Sequence, residues 1–272
     1  MTAHDVGRLV LLGHPVEHSI SPVFQNAALR AAGIALTYEA LDVEPGALGD
    51  RLRGLVARRA AGNVTIPHKT AVAAMCDTLT PLARRAGAVN TFWVEEGALA
   101  GDNTDAAGFD HLARRVLGSI PLGARVALFG AGGAAAAVCA AVEQWPGARI
   151  TLCNRSAQRA EALAARFPVV DRLAGRPTDA VAQATVVVNA TPAGMTDDAV
   201  PIDVAALPPA AGVIDLVHRP GDTPWVRSAK ARGLRAGDGL AMLVEQGALA
   251  FERWFGVDAP RDVMWEAACA YH

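Results

Sequence analysis

RVALFGAGGAAAAVCAAV, residues Arg125 to Val142, decides how the rest of the chain is read. Val126 to Phe129 is a short apolar run of the kind that forms a buried parallel strand. Gly130-Ala131-Gly132-Gly133-Ala134-Ala135 follows at once, and an Ala-rich helical run continues to about Trp145. Strand, glycine turn and helix in that order form the setting of a dinucleotide fingerprint. Gly130 permits the tight turn, Gly132 lets backbone approach a pyrophosphate, and Ala135 supplies the small residue where helix meets strand. The helix N-terminus then offers free N–H groups and a partial positive charge to phosphates. A glycine triplet alone also serves as a plain connecting turn; the flanking elements favour the dinucleotide. A nicotinamide held here must reach a substrate, so other chemical residues must come from elsewhere in the chain.

The 272 residues, 52% of them hydrophobic, suffice for one or two domains with sizeable cores. A net charge of −2 with no basic run argues against nucleic acid as the main partner. The N-terminal MTAHDVGRLVLLGHP has too short an apolar core for a secretion signal and reads as a first strand. No apolar run approaches the ~18 residues of a membrane span. Cys76, Cys139, Cys153 and Cys269 are scattered without a CxxC pair. They suit reduced core thiols in the cytoplasm better than disulfides or a metal site.

Arg8 to Leu12 reads as a strand, followed by the polar loop Gly13 to Pro22, with Ser21 expected as N-cap and Pro22 in the first turn of a helix ending near Gly33. Leu36 to Val43 is a second strand, Pro45 to Arg59 an amphipathic helix, and Asn63 to Ile66 a third strand stopped by Pro67. Helices are expected at Lys69–Cys76 and Pro81–Ala86, and a hairpin at Val89–Val94 and Ala98–Gly101. A helix from Asp105 to Leu117 leads into Gly118–Gly123, which reads as a hinge. After the glycine turn come a strand at Ile150–Cys153, a helix at Ser156–Phe167, a weakly signalled strand at Val169–Arg172, and apolar strands at Val186–Ala190 and Val213–Val217. Helices at Pro224–Arg232, Gly239–Phe255 and Arg261–Tyr271 close the chain. Alternating strands and helices indicate parallel sheets with both faces covered, in two α/β domains, the first ending near Asp105.

The residue after the second strand of a dinucleotide unit meets the adenosine ribose, and an NAD enzyme usually places a carboxylate there. This chain has Asn154-Arg155-Ser156 with Arg159 one turn later. Two guanidinium groups and no carboxylate suit the 2′-phosphate of NADP. Reduction of a ketone by hydride also needs a proton donor. Lys69, after Asn63-Val64-Thr65-Ile66-Pro67-His68, and Asp105, at the end of Gly101-Asp102-Asn103-Thr104-Asp105, both lie near strand ends, where α/β sheets bind ligands. His18 and His68 compete with Lys69 for the acid/base role. Ser19 and Ser21 alternate, so their hydroxyls can face one anion or serve as turn and helix cap.

GHPVEHSISP, NVTIPHK, GAVNT, GDNTD, GAGGAA, NRSAQR, NATPAGM and GLAMLVEQ occur in the order of the shikimate dehydrogenase family, which the chain resembles over nearly its whole length. The resemblance implies reversible reduction of 3-dehydroshikimate to shikimate by NADPH, on the route to chorismate and the aromatic amino acids. It implies an α/β fold with a substrate-binding and catalytic domain, 1–105, completed by helices within 238–272, and an NADP-binding Rossmann domain, 106–237. Carried over by position, Lys69 is the acid/base and Asp105 its partner. Ser19 and Ser21 hold the substrate carboxylate, joined by His218; Thr65, Asn90 and Gln246 hold ring hydroxyls and orient Lys69. Gly130, Ala131, Gly132, Gly133, Ala134, Asn154, Arg155, Ser156 and Arg159 bind NADP, with Leu216 and Gly239 against the nicotinamide. The partner implied is a small-molecule acid, in the cytoplasm, with no nucleic acid, membrane or metal; a homodimer is left open.

The chain departs from the family's pattern at three places. Gln25 precedes Asn26 where the family usually has His, Ala241 replaces a frequent Gly, and His218 follows Ile214-Asp215-Leu216-Val217 where Tyr is usual. Because that Tyr touches the substrate carboxylate, quinate or an amino-shikimate stays open as the substrate. A non-catalytic NADP-binding sensor is the remaining alternative, against which the intact Lys69 and Asp105 speak.

Overall fold

The structure, a computed structural model, describes residues 5–271. The outermost residues of the two expected domains, 1–4 and 272, lie outside that range. Leu9 to Leu12 are fully or almost fully buried, so the first apolar run forms a central strand, β1 (Arg8–Gly13). It is followed by α1 (Ser21–Ala31), β2 (Tyr38–Asp42), a single 3₁₀ turn at Pro45–Ala47, α2 (Leu48–Val56), β3 (Ala60–Val64), α3 (Lys69–Met75), β4 (Thr78–Leu79) and α4 (Pro81–Ala86). The hairpin β5 (Thr91–Glu95) and β6 (Ala98–Asp102) turns through Glu96 and Gly97, both with positive φ, as a tight two-residue connection demands. The strands order as β2-β1-β3-β5-β6-β4. All pairs are parallel except those of β5, which runs antiparallel to β3 and β6. Val10, Leu12, Leu52, Leu55, Val64, Phe92 and Leu99 form the core of this layer.

The chain continues through α5 (Asp105–Leu117), β7 (Arg125–Phe129), α6 (Gly133–Val142), β8 (Arg149–Cys153), α7 (Ala157–Arg166), β9 (Val170–Ala174), α8 (Pro177–Val181), β10 (Val186–Asn189), β11 (Gly212–Asp215), α9 (Pro224–Ala231) and β12 (Ala236–Gly237). Two helices end it, α10 (Leu240–Phe255) and α11 (Arg261–Tyr271). The second sheet is parallel throughout, in the order β12-β11-β10-β7-β8-β9. The chain therefore winds outward from β7 to one edge, then returns to β10 and winds to the other. That reversal between β7 and β10 is the topological switch of the doubly wound fold. Phe129, Val187, Val213 and Trp225 anchor its core. Residues up to Asp105 with Leu243–Tyr271 form one compact unit, and Ala106–Met242 the other. Among the described residues no helix is long and apolar enough to cross a membrane.

Several expectations are corrected. Ser21 is the first helical residue of α1, not its cap; Ile20 occupies the cap position and no side chain caps there. The third strand lies at Ala60–Val64, not Asn63–Ile66, because pairing with β1 draws in Ala60-Ala61-Gly62, whose small side chains carry no strand signal. The expected helix Pro45–Arg59 splits into the 3₁₀ turn and α2. The weakly signalled strand near Val169 is an edge strand paired to β8 through a register shift at Ile150/Thr151. Of the four cysteines, all free, Cys139 and Cys153 are buried, Cys76 is intermediate, and Cys269 is exposed rather than a core thiol.

The last two helices are fastened by charge. Arg261 donates to both oxygens of Glu245 at 3.1 Å and pairs with Glu252, which also accepts the amide of Ala259. Arg261→Ala is expected to cost about 1 kcal/mol, the scale of a partly screened bidentate pair. That should appear as a melting temperature lower by ~2–4 °C. Arg261→Lys, which keeps the charge but not the planar fork, should recover only part of the loss.

Candidate active site

Lys69 opens α3 directly beyond the end of β3, and Asp105 opens α5 just beyond β6. Their side chains meet: Lys69 Nζ lies 2.5 Å from Asp105 Oδ2, with the carboxylate almost wholly shielded and the lysine side chain 19% exposed. The other carboxylate oxygen, Oδ1, accepts from Asn90 Nδ2 at 2.8 Å. Asn90 is itself buried, and the same amide nitrogen reaches Thr104 Oγ1 at 2.9 Å and Gln246 Oε1 at 3.1 Å. Its Oδ1 accepts the Thr104 amide at 2.7 Å, and Thr104 Oγ1 donates to the Gln246 carbonyl at 2.9 Å. A primary amide has two hydrogens, so three acceptors around Asn90 Nδ2 cannot all be served at once. The cluster is thus a tight polar lattice with one exchangeable contact, facing a cation–carboxylate pair.

The loop carrying Asp105 is held from behind. Asp102 is buried; its Oδ1 accepts Thr80 Oγ1 and the Asn103 amide, and its Oδ2 pairs with Arg253 at 2.8 Å. The Arg253 guanidinium also lies over the Trp93 ring, 5.4 Å from its centroid. Tyr38 OH donates to Asn63 Oδ1, and Asn63 Nδ2 donates to the Asn90 carbonyl. Full burial raises the Tyr38 phenol well above its ordinary pKa, so it remains a donor. These supports went unassigned in the sequence; Asp102, Asn103 and Thr104 stand in the GDNTD run, but nothing local pairs them with Arg253, Asn90 or Gln246.

Among the remaining sequence candidates, His68 is buried with Nε2 2.6 Å from the Val43 carbonyl, which only accepts; the ring therefore donates there and is engaged in packing. His18 is exposed. Ser19 Oγ accepts the Ser21 amide at 3.3 Å in a local turn, and the Ser21 side chain is not spent on capping α1. Thr65 is half-buried, its backbone fixed by donation to the Leu12 carbonyl.

In the second unit, Gly130 has φ +109, and a Cβ there would stand 2.7 Å from the Ala190 carbonyl oxygen, so only glycine lets the turn after β7 pass β10. Gly132 is exposed with open space where a side chain would be, and no side chain caps α6; among the described residues the first amides, including Gly133 and Ala134, are left free for an anion. Ala131 flanks them, half-buried. Asn154 Nδ2 donates to the Ser156 carbonyl, and Ser156 Oγ caps α7 by accepting the Arg159 amide. Arg155 and Arg159 are exposed and paired with no carboxylate among the described residues. Open backbone, free helix amides and two available guanidiniums fit a dinucleotide with a 2′-phosphate. Leu216 and the half-buried His218 follow β11, and Gly239 donates to the Val217 carbonyl at 3.0 Å. Asp215, also missed, is buried at the end of β11, and its pKa is pushed up to about 6 by burial, against the pull of donors from Thr223, Val217 and Asn189.

Residues 11–92 match the shikimate dehydrogenase substrate binding domain, and residues 239–269 the shikimate 5′-dehydrogenase C-terminal domain. A shikimate dehydrogenase (NADP(+)) of Symbiobacterium thermophilum is 45% identical over 99% of this chain and 96% of its own length. The crystal structure of a Thermus thermophilus shikimate 5-dehydrogenase, in complex with NADP(H) and shikimate, is 42% identical, with TM-score 0.87 over 97% of this chain and 99% of that one. The ligand-free 5-ketofructose reductase of a Gluconobacter strain is 31% identical with TM-score 0.84, over 98% of this chain and 99% of that one. The same fold therefore carries enzymes named for different substrates. Identity of this size, sustained along almost the full length, places the chain in the shikimate dehydrogenase family, to which it belongs.

Proposed function

We propose that the chain reduces 3-dehydroshikimate to shikimate, reversibly, as an NADP-dependent oxidoreductase, and that Lys69 and Asp105 are its catalytic pair. The observation that carries this reading is the 2.5 Å contact between Lys69 and an Asp105 whose second oxygen is held by Asn90. Bound NADPH supplies the hydride that adds to the carbonyl carbon. Lys69 donates a proton to the carbonyl oxygen as negative charge develops there, and recovers one from solvent afterwards. Asp105 holds the ammonium in place and accepts from a neighbouring substrate hydroxyl. The exchangeable contact around Asn90 lets a ring hydroxyl enter the lattice with Gln246, while Thr65 contributes a further hydroxyl. Ser19 and Ser21 donate to the substrate carboxylate, for which Ser21 has its hydroxyl uncommitted by capping. His218 is assigned to the same carboxylate in place of the family's Tyr.

Gly130 to Ala134 hold the pyrophosphate through backbone amides, with Asn154, Arg155, Ser156 and Arg159 around the adenosine 2′-phosphate and Leu216 and Gly239 against the nicotinamide. We divide the roles between the units accordingly, substrate to the unit that ends at Asp105 and is completed by Leu243–Tyr271, and NADP to Ala106–Met242. Four free cysteines suit a reducing compartment, and we place the enzyme in the cytoplasm.

A panel of shikimate, quinate, an amino-shikimate and a keto sugar, followed at the NADPH absorbance with both cofactors, tests the assignment. Shikimate with NADP should turn over fastest. Faster turnover of another acid would move the substrate, and NADPH binding without any turnover would leave a sensor. Lys69→Ala should lower kcat by ~10² or more with KM little changed, the scale of a lost general acid. A near-normal kcat would remove Lys69 from proton transfer. Arg155→Ala should weaken NADPH by about 10- to 100-fold and NADH much less, since only NADPH carries the 2′-phosphate. Equal weakening of both would contradict the placement.

A further inference from the structure

Asp215 is 1% exposed and receives three hydrogen bonds, all from neutral donors. Its Oδ1 accepts Asn189 Nδ2 at 2.9 Å and the Val217 amide at 3.1 Å, and its Oδ2 accepts Thr223 Oγ1 at 2.8 Å. Asn189 is fully buried directly across the ladder, in register with Asp215, at the last position of β10. The Asn189 side chain also fixes the turn after its own strand: its Oδ1 accepts the Thr191 amide at 3.0 Å and Thr191 Oγ1 at 2.6 Å, and its Nδ2 reaches the Ala193 carbonyl. One carboxylate thus sets the chain leaving two neighbouring strands at their carboxyl ends, beside the switch in strand order.

The turn that Asp215 shapes is Leu216–Val217. The Leu216 amide donates to the Asn189 carbonyl at 2.9 Å, and Gly239 donates to the Val217 carbonyl. A Cβ at Gly239 would stand 2.3 Å from the Leu216 carbonyl oxygen, so the backbone of residue 239 lies directly against that turn. Leu216 is therefore gripped on both sides, its side chain half-buried. Thr223 ties in a third element, because its Oγ1 also accepts the Val226 amide as the cap of α9. Burial opposes the ionised form of Asp215, and Asp238 adds to the opposition. The donors from Asn189, Val217 and Thr223 act against that opposition. Buried charge retained against such a penalty is characteristic of functional sites.

We propose that Asp215 is a positioning residue for the cofactor: through Asn189, Val217 and Thr223 it holds the Leu216–Val217 turn in the shape that receives the nicotinamide end. The inference rests on the reading above that Leu216 and Gly239 face that ring. The test uses the full-length protein and two probes, NADPH and adenosine 2′,5′-bisphosphate, which carries the 2′-phosphate half without nicotinamide. Dissociation constants come from calorimetry, with the nicotinamide fluorescence of bound NADPH as a spectroscopic signature. Asp215→Ala should weaken NADPH about tenfold or more and diminish the fluorescence change, with the bisphosphate fragment bound within about twofold of the native protein. Asp215→Asn keeps an oxygen for Asn189 and Val217 and should restore most of the NADPH affinity.

NADPH affinity unchanged in Asp215→Ala, or NADPH and the fragment weakened by one common factor, overturns the proposal; the common factor would report a general structural loss. Should Asp215→Ala fail to fold, Asn189→Ala removes one donor from the same carboxylate. It must then show the same split between NADPH and fragment, and its absence counts against the proposal. If the native protein binds NADPH no more tightly than the fragment, the placement of the nicotinamide is itself wrong, and the inference falls with it.

Discussion

The buried carboxamide of Asn90 joins three stretches of chain that are far apart in sequence. Its nitrogen is shared among Thr104, Asp105 and, 156 positions away, Gln246, and its oxygen takes the Thr104 amide. In a site this shielded, a polar group left without a partner costs far more than it would in water. The loop before α5, the residues ahead of β5 and the body of α10 must therefore move together or not at all. This constraint leaves Asp105 with one oxygen fixed to protein and the other turned to Lys69. The orientation of the Lys69–Asp105 pair follows from that division of the carboxylate, and the division follows from the amide.

The second unit solves a related problem with its sheet. Phe129, Cys153, Asn189 and Asp215 occupy matching positions at the carboxyl ends of β7, β8, β10 and β11. On the side of β7 and β8 the row is apolar, and beyond it the chain turns into helices whose amides and arginines suit phosphates. On the side of β10 and β11 the row becomes polar and buried. There, hydrogen bonds rather than a glycine turn govern how the chain leaves the sheet. A parallel ladder fixes the ends of all its strands to a common line, so a polar pair across the last rung can shape two loops at once.

What could be read from sequence followed the range of the physics involved. The glycine turn was legible because strand, turn and helix are consecutive, and each requirement falls on one residue; Gly130 with its positive φ shows why. The α/β class was legible from alternation alone. Lys69 and Asp105 could be singled out by their places near strand ends and helix starts, although their meeting is a tertiary fact spanning 36 positions. Ser21 was misplaced because Ser-Pro signals a cap so strongly, whereas the chain enters α1 one residue earlier, at Ile20. β3 was displaced because Ala60-Ala61-Gly62 acquire strand character only from β1 beside them. Asp215 stood in view within an apolar run, but its meaning lies in Asn189 on the neighbouring strand, which no local pattern can supply.

Lys69 and Asp105 also stand at unlike places electrostatically. Asp105 is the first residue of α5, and Lys69 the first of α3. The start of a helix carries partial positive charge, which favours a carboxylate and opposes an ammonium. Asp105 is engaged by Asn90 as well as by Lys69. Lys69, at the start of a shorter helix and with its side chain largely enclosed, depends on Asp105 for its counter-charge. The dependence is therefore one-sided. An ammonium with a single counter-charge is held in the direction of that one partner. A carboxylate that accepts from Asn90 on one oxygen and meets the ammonium with the other has its orientation fixed from two sides. The fold provides both conditions by beginning two helices at the same spot.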